Sequence, residues 1–222
     1  MKIALVSQKG GVGKSSLAVS IAWELAARGC SVLVVDGDPQ GTARIARDVA
    51  LEGGKTPPSA VALGKDMCKP ENLRAMSRFD HVVIDTPAKL GDVQRAALML
   101  ADVALVPVSQ SGAEVWGNTD TIALISQAQT INSALRGALV FVRKLPNTAL
   151  GRNARAILEN GDLPVFVTET TFRVAWQEAI TAGMGVAQYA PRDKGAKELR
   201  AIVDELLVFG TGEARVAEVV NG

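Results

Sequence analysis

Two hundred and twenty-two residues, 48% of them apolar and 21% charged, suffice for one well-buried core, which excludes both a disordered chain and a disulfide-stapled miniature. Lys and Arg total 24 against 23 Asp and Glu, so the net charge of +1 exerts no global pull on nucleic acid and any polyanion site has to be local. No apolar run approaches the roughly 20 residues that span a bilayer, and the opening MKIALVSQKGG lacks the apolar segment and cleavage pattern of a signal peptide, so a cytoplasmic chain is expected.

The first predicted strand, Lys2 to Ser7, runs into Gln8-Lys9-Gly10-Gly11-Val12-Gly13-Lys14-Ser15-Ser16. Three glycines let the backbone there curl into a ring of inward N–H groups that a Cβ would obstruct, and a following helix adds the positive end of its dipole. Lys14 offers a mobile cation to β- and γ-phosphates, the Ser15 hydroxyl suits the hard ion Mg²⁺, and Ser16 can bond an α-phosphate oxygen. Leu17, Ile21 and Leu25 then recur every four residues beside Ala18 and Ala22, predicting a helix that ends at Gly29. With the second strand, Ser31 to Asp36, this makes a βαβ unit.

That strand ends in Val35-Asp36-Gly37-Asp38-Pro39-Gln40-Gly41, two carboxylates at the strand edge where open α/β sheets bind ligands; one of them can orient water. A helix over Thr42 to Ala50 is followed by Glu52 to Ser59, a Gly- and Pro-rich loop too short to separate two domains. After a helix over Pro70 to Ser77, the apolar strand His81 to Asp85 ends in a carboxylate placed to hold a metal, with His81 a partly exposed residue at its start. Further on, helices are expected over Val93 to Ala101, Val115 to Ala134, Asn147 to Asn160, Arg173 to Ala182 and Gly195 to Val208. Strands are expected over Val103 to Val108, Gly137 to Val142 and near Val165. Cys30 and Cys68 form no CxxC pair and read as packing residues.

Alternating apolar strands and helices predict an α/β fold, a doubly wound, mostly parallel sheet with helices on both faces. Residues 1–209 make one domain and 210–222 a loose tail.

The plain phosphate-loop pattern wants glycine where Gln8 stands. KGGVGKS instead resembles the deviant Walker A motif of the ParA and MinD ATPases, whose second lysine is matched by Lys9. The resemblance implies a P-loop fold that binds ATP and Mg²⁺. Phosphate and nucleotide contacts then fall to Lys9, Gly10, Gly11, Val12, Gly13, Lys14, Ser15 and Ser16. DGDPQG resembles the family's DxDPQG segment, in which Asp38 positions the attacking water and Asp36 supports the metal region. HVVIDTP matches a Walker B strand, so Ser15, Asp36 and Asp85 form the metal set and Lys9, Lys14 and Asp38 the catalytic set. Pro87-Ala88 stands where the family reads two prolines, which loosens the switch loop Lys89 to Val93.

Val106-Pro107-Val108 resembles the family's PV segment, with Trp116 either at a dimer face or in the core. Arg143 stands where relatives often place an adenine-reading asparagine. Arg173 to Ala179 and Tyr189 to Ala196 resemble the closing segments of ParA proteins, which puts Pro191 against adenine and Arg173 on DNA. Four cations from Arg192 to Arg200 face two acids, making Lys194, Lys197 and Arg200 candidate DNA contacts or an ordinary solvated helix face.

The resemblance implies an ATP-dependent homodimer that binds duplex DNA non-specifically, associates with the nucleoid, and hydrolyses slowly until a ParB-like or cargo-adaptor protein stimulates it. The loop begins only eight residues from Met1, which leaves no room for an N-terminal helix-turn-helix. The alternative, a MinD-like membrane-cycling ATPase, needs a basic amphipathic tail, whereas residues 210–222 hold one cation and two carboxylates.

Overall fold

Seven strands form a single sheet in the computed structural model, which describes residues 1–89, 91–110, 118–145 and 148–212. In chain order they are β1 (Lys2–Leu5), β2 (Val32–Asp36), β3 (Ser59–Ala62), β4 (His81–Asp85), β5 (Val103–Val108), β6 (Arg136–Lys144) and β7 (Val165–Thr171). They lie side by side as β3-β2-β4-β1-β5-β6-β7, and every pairing is parallel. Parallel neighbours need long crossovers. Helices supply them, α1 (Lys14–Ala27), α2 (Thr42–Glu52), α3 (Pro70–Met76), α4 (Asp92–Leu100), α5 (Thr119–Gln129) and α6 (Ala149–Glu159), and after β7 follow α7 (Val174–Thr181), α8 (Val186–Tyr189) and α9 (Lys194–Thr211).

Side chains alternate between two apolar layers. Along β1, Ile3 and Leu5 join Leu17, Ile21 and Leu25 of α1 and Leu199, Ile202 and Leu206 of α9. Ala4 and Val6 point the other way, to Leu98 of α4, Ile125 of α5 and Leu158 of α6. Because both faces are covered, the inner strands contain no polar alternation: β2 and β5 are buried at every position. Each large apolar side chain so buried contributes about 1.5–3 kcal/mol, and this stiff sheet fixes where its loops emerge. The doubly wound α/β expectation is met.

Two strands differ from expectation. β3 lies just past Pro57 and Pro58 and pairs with β2 as a four-residue edge. β7 runs through the polar stretch to Thr171, with α9 over its open side. Glu205 accepts from the Val167 and Thr168 amides at 2.8 and 2.9 Å, and Glu198 from the Thr171 amide at 2.9 Å. At the C-terminal end α9 continues through Gly210 to Thr211, two residues beyond the expected domain end. Trp116, the first residues of the helix expected from Val115, and residues 213–222 lie outside the described residues, as does Leu90 of the switch loop. Cys30 packs half-buried on the first layer, whereas Cys68 is exposed rather than a packing residue.

Candidate nucleotide site

β1 ends between β4 and β5, and its chain turns back through residues 7–13 into α1. The turn requires left-handed backbone at Gly11 (φ 77°) and Gly13 (φ 101°), a region open to glycine and costly for a residue with a Cβ. Gly13 is the N-cap of α1 and offers no side-chain acceptor to the helix amides. The first-turn N–H groups therefore stay available to an anion, at the positive end of the helix. Lys14 is buried at the start of α1, yet no hydrogen bond or ion pair among the described residues engages its ammonium group. Lys9, half-buried at the loop's entry, likewise has no side-chain partner among them.

Asp85 closes β4 directly beside this turn. Its side chain is fully buried, and among the described residues neither carboxylate oxygen has a hydrogen-bond partner of good geometry. Desolvation pushes its carboxyl up to about 6, and Asp36 and Asp38 push the same way; the Ser15 hydroxyl and Lys14 ammonium pull it down. Ser15 is thus near enough to act on Asp85 without forming a bond that satisfies it. A buried acid left this way is expensive. Two oxygen donors facing each other across such a gap fit a small hard cation such as Mg²⁺, whose remaining positions are usually filled by water and phosphate.

Asp36, also expected in the metal set, is buried at the end of β2 and hydrogen-bonded to the segment that follows. Its oxygens accept from the Asp38 amide at 3.1 Å and the Arg44 amide at 3.0 Å, with the Arg44 guanidinium 3.6 Å away. Arg44 lies in the first turn of α2, so Asp36 caps that helix from a neighbouring strand and fixes the loop between them. Asp38 stands half-buried on the loop, one oxygen accepting from the Gln40 amide at 2.9 Å. The loop is close to β4: the Gly37 amide donates to the Asp85 carbonyl at 2.8 Å, and a Cβ at Gly37 would lie 2.9 Å from Val93.

One positioning residue escaped the sequence reading. Gln94, fully buried on α4, donates to the Pro87 carbonyl at 2.7 Å and reaches the Ser7 carbonyl at 3.4 Å, joining the segment after Asp85 to the start of the phosphate loop. Its only sequence signal is a polar residue three and four positions before the buried Ala97 and Leu98.

A cleft opens beside the start of α1, walled by Gly13, Ser16, Arg143, Thr170, Phe172 and Trp176 among others. Pro191 is not part of that wall; it is exposed, and its carbonyl lies 3.5 Å from Arg200. The candidate DNA cations are partly engaged. Arg173 is 3.7 Å from Asp193, Lys194 is 3.8 Å from Glu198, and Arg200 is 3.8 Å from the buried Glu24. Lys197 is exposed without an ion pair among the described residues. Also among them, no helix is long and apolar enough to cross a membrane.

The sequence matches the CobQ/CobB/MinD/ParA nucleotide binding domain over residues 3–207. It is 32% identical over 210 residues to the maintenance of carboxysome distribution protein A of Halothiobacillus neapolitanus, a match covering 92% of this chain and 95% of that protein. To the chromosome-partitioning ATPase Soj of Thermus thermophilus it is 29% identical over 239 residues, covering 93% and 95%. Among solved structures, cobyrinic acid a,c-diamide synthase from Mycobacterium smegmatis, crystallised with an ATP analogue and magnesium, shares the fold with a TM-score of 0.75 at 22% identity over 96% of each chain. Matched from β1 through most of α9, the chain belongs to the CobQ/CobB/MinD/ParA nucleotide-binding family.

Proposed function

We propose that the chain is an ATP-hydrolysing switch of the ParA type that dimerises around two nucleotides, binds duplex DNA without sequence preference and positions a cargo. The observation that carries this reading is Asp85, buried beside Ser15 and Lys14 where the glycine turn meets α1, its oxygens unsatisfied among the described residues. The loop amides and Lys14 hold the phosphates, and Ser15 and Asp85 hold Mg²⁺, Asp85 through water. A bound Mg²⁺ supplies charge neutralisation between the phosphate oxygens. Asp38 orients the attacking water, and Asp36 acts by holding the Asp38 loop. Lys9, with its ammonium uncommitted, reaches the nucleotide of a second copy, so that the dimer is the reactive unit.

The relatives named for carboxysome distribution and chromosome partitioning support a cargo-positioning role. DNA contact falls to Lys197 and Lys194 with Arg173, a patch too small alone and doubled by dimerisation. A ParB-like or adaptor protein stimulates the hydrolysis, in the cytoplasm at the nucleoid. In titration calorimetry and phosphate-release assays, Lys14→Ala should lose most MgATP affinity and all turnover; wild-type turnover in that variant removes the site. Lys197→Glu should keep nucleotide affinity but lose mobility shifts on unrelated duplexes in a slowly hydrolysed ATP analogue. Shifts that ignore the nucleotide state, or that occur on one sequence only, remove the DNA arm.

A further inference from the structure

Among the described residues Arg143 is the only non-glycine in the left-handed region, with φ 55°. Such a conformation persists in a residue with a Cβ only where its surroundings over-determine it, and it clusters at functional positions. Three contacts hold it. The Arg143 amide donates to the buried Thr170 hydroxyl at 3.1 Å, and the guanidinium carbon sits 5.4 Å from the centre of the Phe172 ring. Its Nη1 donates to the Gly11 carbonyl at 2.7 Å, linking the end of β6 to a loop 132 residues away in sequence.

Gly11 stands at φ 77°, and a glycine takes either hand of backbone at little cost, so the peptide joining Gly11 to Val12 has no intrinsic orientation. All described peptide bonds are trans, and across a trans peptide the carbonyl and the next N–H point in opposite directions. Holding the Gly11 carbonyl toward the Arg143 guanidinium therefore turns the Val12 N–H the opposite way, away from that side chain. We propose that Arg143 is a positioning residue that aims the Val12 amide at the bound phosphates, acting through the Gly11 carbonyl and not on the base. The proposal rests on the reading of this turn as the phosphate site. A charge-assisted bond to a carbonyl is the stronger kind, and the stacked Phe172 ring keeps the fork from rotating away.

Arg143→Gly removes the arm while keeping the left-handed backbone free of strain, so loss of binding is separated from loss of fold. Calorimetric titration should show MgADP affinity falling about tenfold, the effect of one such bond, with a nucleotide-free thermal midpoint close to that of the wild type. Magnesium tripolyphosphate, which has no base, should weaken by a similar factor, and Arg143→Lys, which keeps a donor, should recover part of both losses. Wild-type MgADP affinity in the glycine variant overturns the proposal. So does a loss confined to MgADP with tripolyphosphate unaffected, which would mean that the arginine touches the base. A wild-type chain that binds neither probe overturns the phosphate-site reading itself, and the proposal with it.

Discussion

Asp85 carries a charge conflict that the fold does not resolve by itself. Its carboxyl titrates near 3.8 in an unfolded chain and is pushed up to about 6 by burial in the native one. A raised pKa means that the folded state holds the proton more tightly. The contribution to stability is full below the unfolded value and is lost as pH rises through about 6. The gap corresponds to about 3 kcal/mol forgone at pH 8. Asp85→Asn should therefore stabilise the nucleotide-free protein against urea at pH 8 by up to that amount and hardly at all near pH 4, while abolishing Mg²⁺-dependent nucleotide binding. An asparagine variant that unfolds more easily at pH 8 would mean that the carboxylate has a partner after all. The meeting of Lys14, Ser15 and Asp85 was legible in the sequence because a strand, a glycine turn and a helix start fix two of them and a strand end the third. Arg143 and Gln94 were not, since their roles depend on strands and helices that meet only in the folded chain. Asp36 was half legible: its strand-end position could be read, but not its engagement by the Asp38 amide of the loop and the Arg44 amide of α2.

The two edges of the sheet are built differently. β3 is kept to four residues, whereas β7 is seven residues long and is protected by carboxylates from α9. Unprotected edge amides invite pairing with another chain. Glu205 accepts from two amides and, at 2.6 Å, from the Thr168 hydroxyl, so Glu205→Ala strands several donors at once. That variant should lose about 1–3 kcal/mol in chemical denaturation and scatter more light on mild heating, with Glu205→Gln intermediate. Equal stability of all three proteins would show that water replaces the carboxylate freely. These same features hid β3, and all of β7 beyond its start near Val165, from sequence reading. The TETT half of β7 is polar because its side chains are all bonded, Thr168 and Thr171 to carboxylates of α9, Glu169 to Lys144 and Arg155, and the buried Thr170 to the Arg143 amide. SAVA is short, partly exposed and preceded by two prolines, so it does not stand out from the loop before it. The inner strands, apolar except at their ends, were plain.

At the scale of the whole molecule, the phosphate turn, the Asp38 loop and Asp85 all emerge on one margin of the sheet, because β1, β2 and β4 run parallel side by side. That common margin is where a second copy would have to approach for Lys9 to reach its nucleotide. Lys9→Ala should bind MgATP but remain monomeric in light scattering with a slowly hydrolysed analogue; a normal dimer would free Lys9 from any role between subunits. The strand order also has a bearing on how the chain is made. β1 pairs with β4 and β5 alone, so once synthesised it has neither neighbour until residues 81–85 and then 103–108 follow. At about 5–20 residues per second, that wait lasts roughly 5–20 s. For that interval an apolar strand stands with one or both edges open, a state in which a nascent chain is exposed to wrong pairing and in need of a chaperone. The phosphate turn hangs from this same strand, so nucleotide affinity should arise late in synthesis, and a nascent chain halted before Val103 should emerge unable to hold ATP.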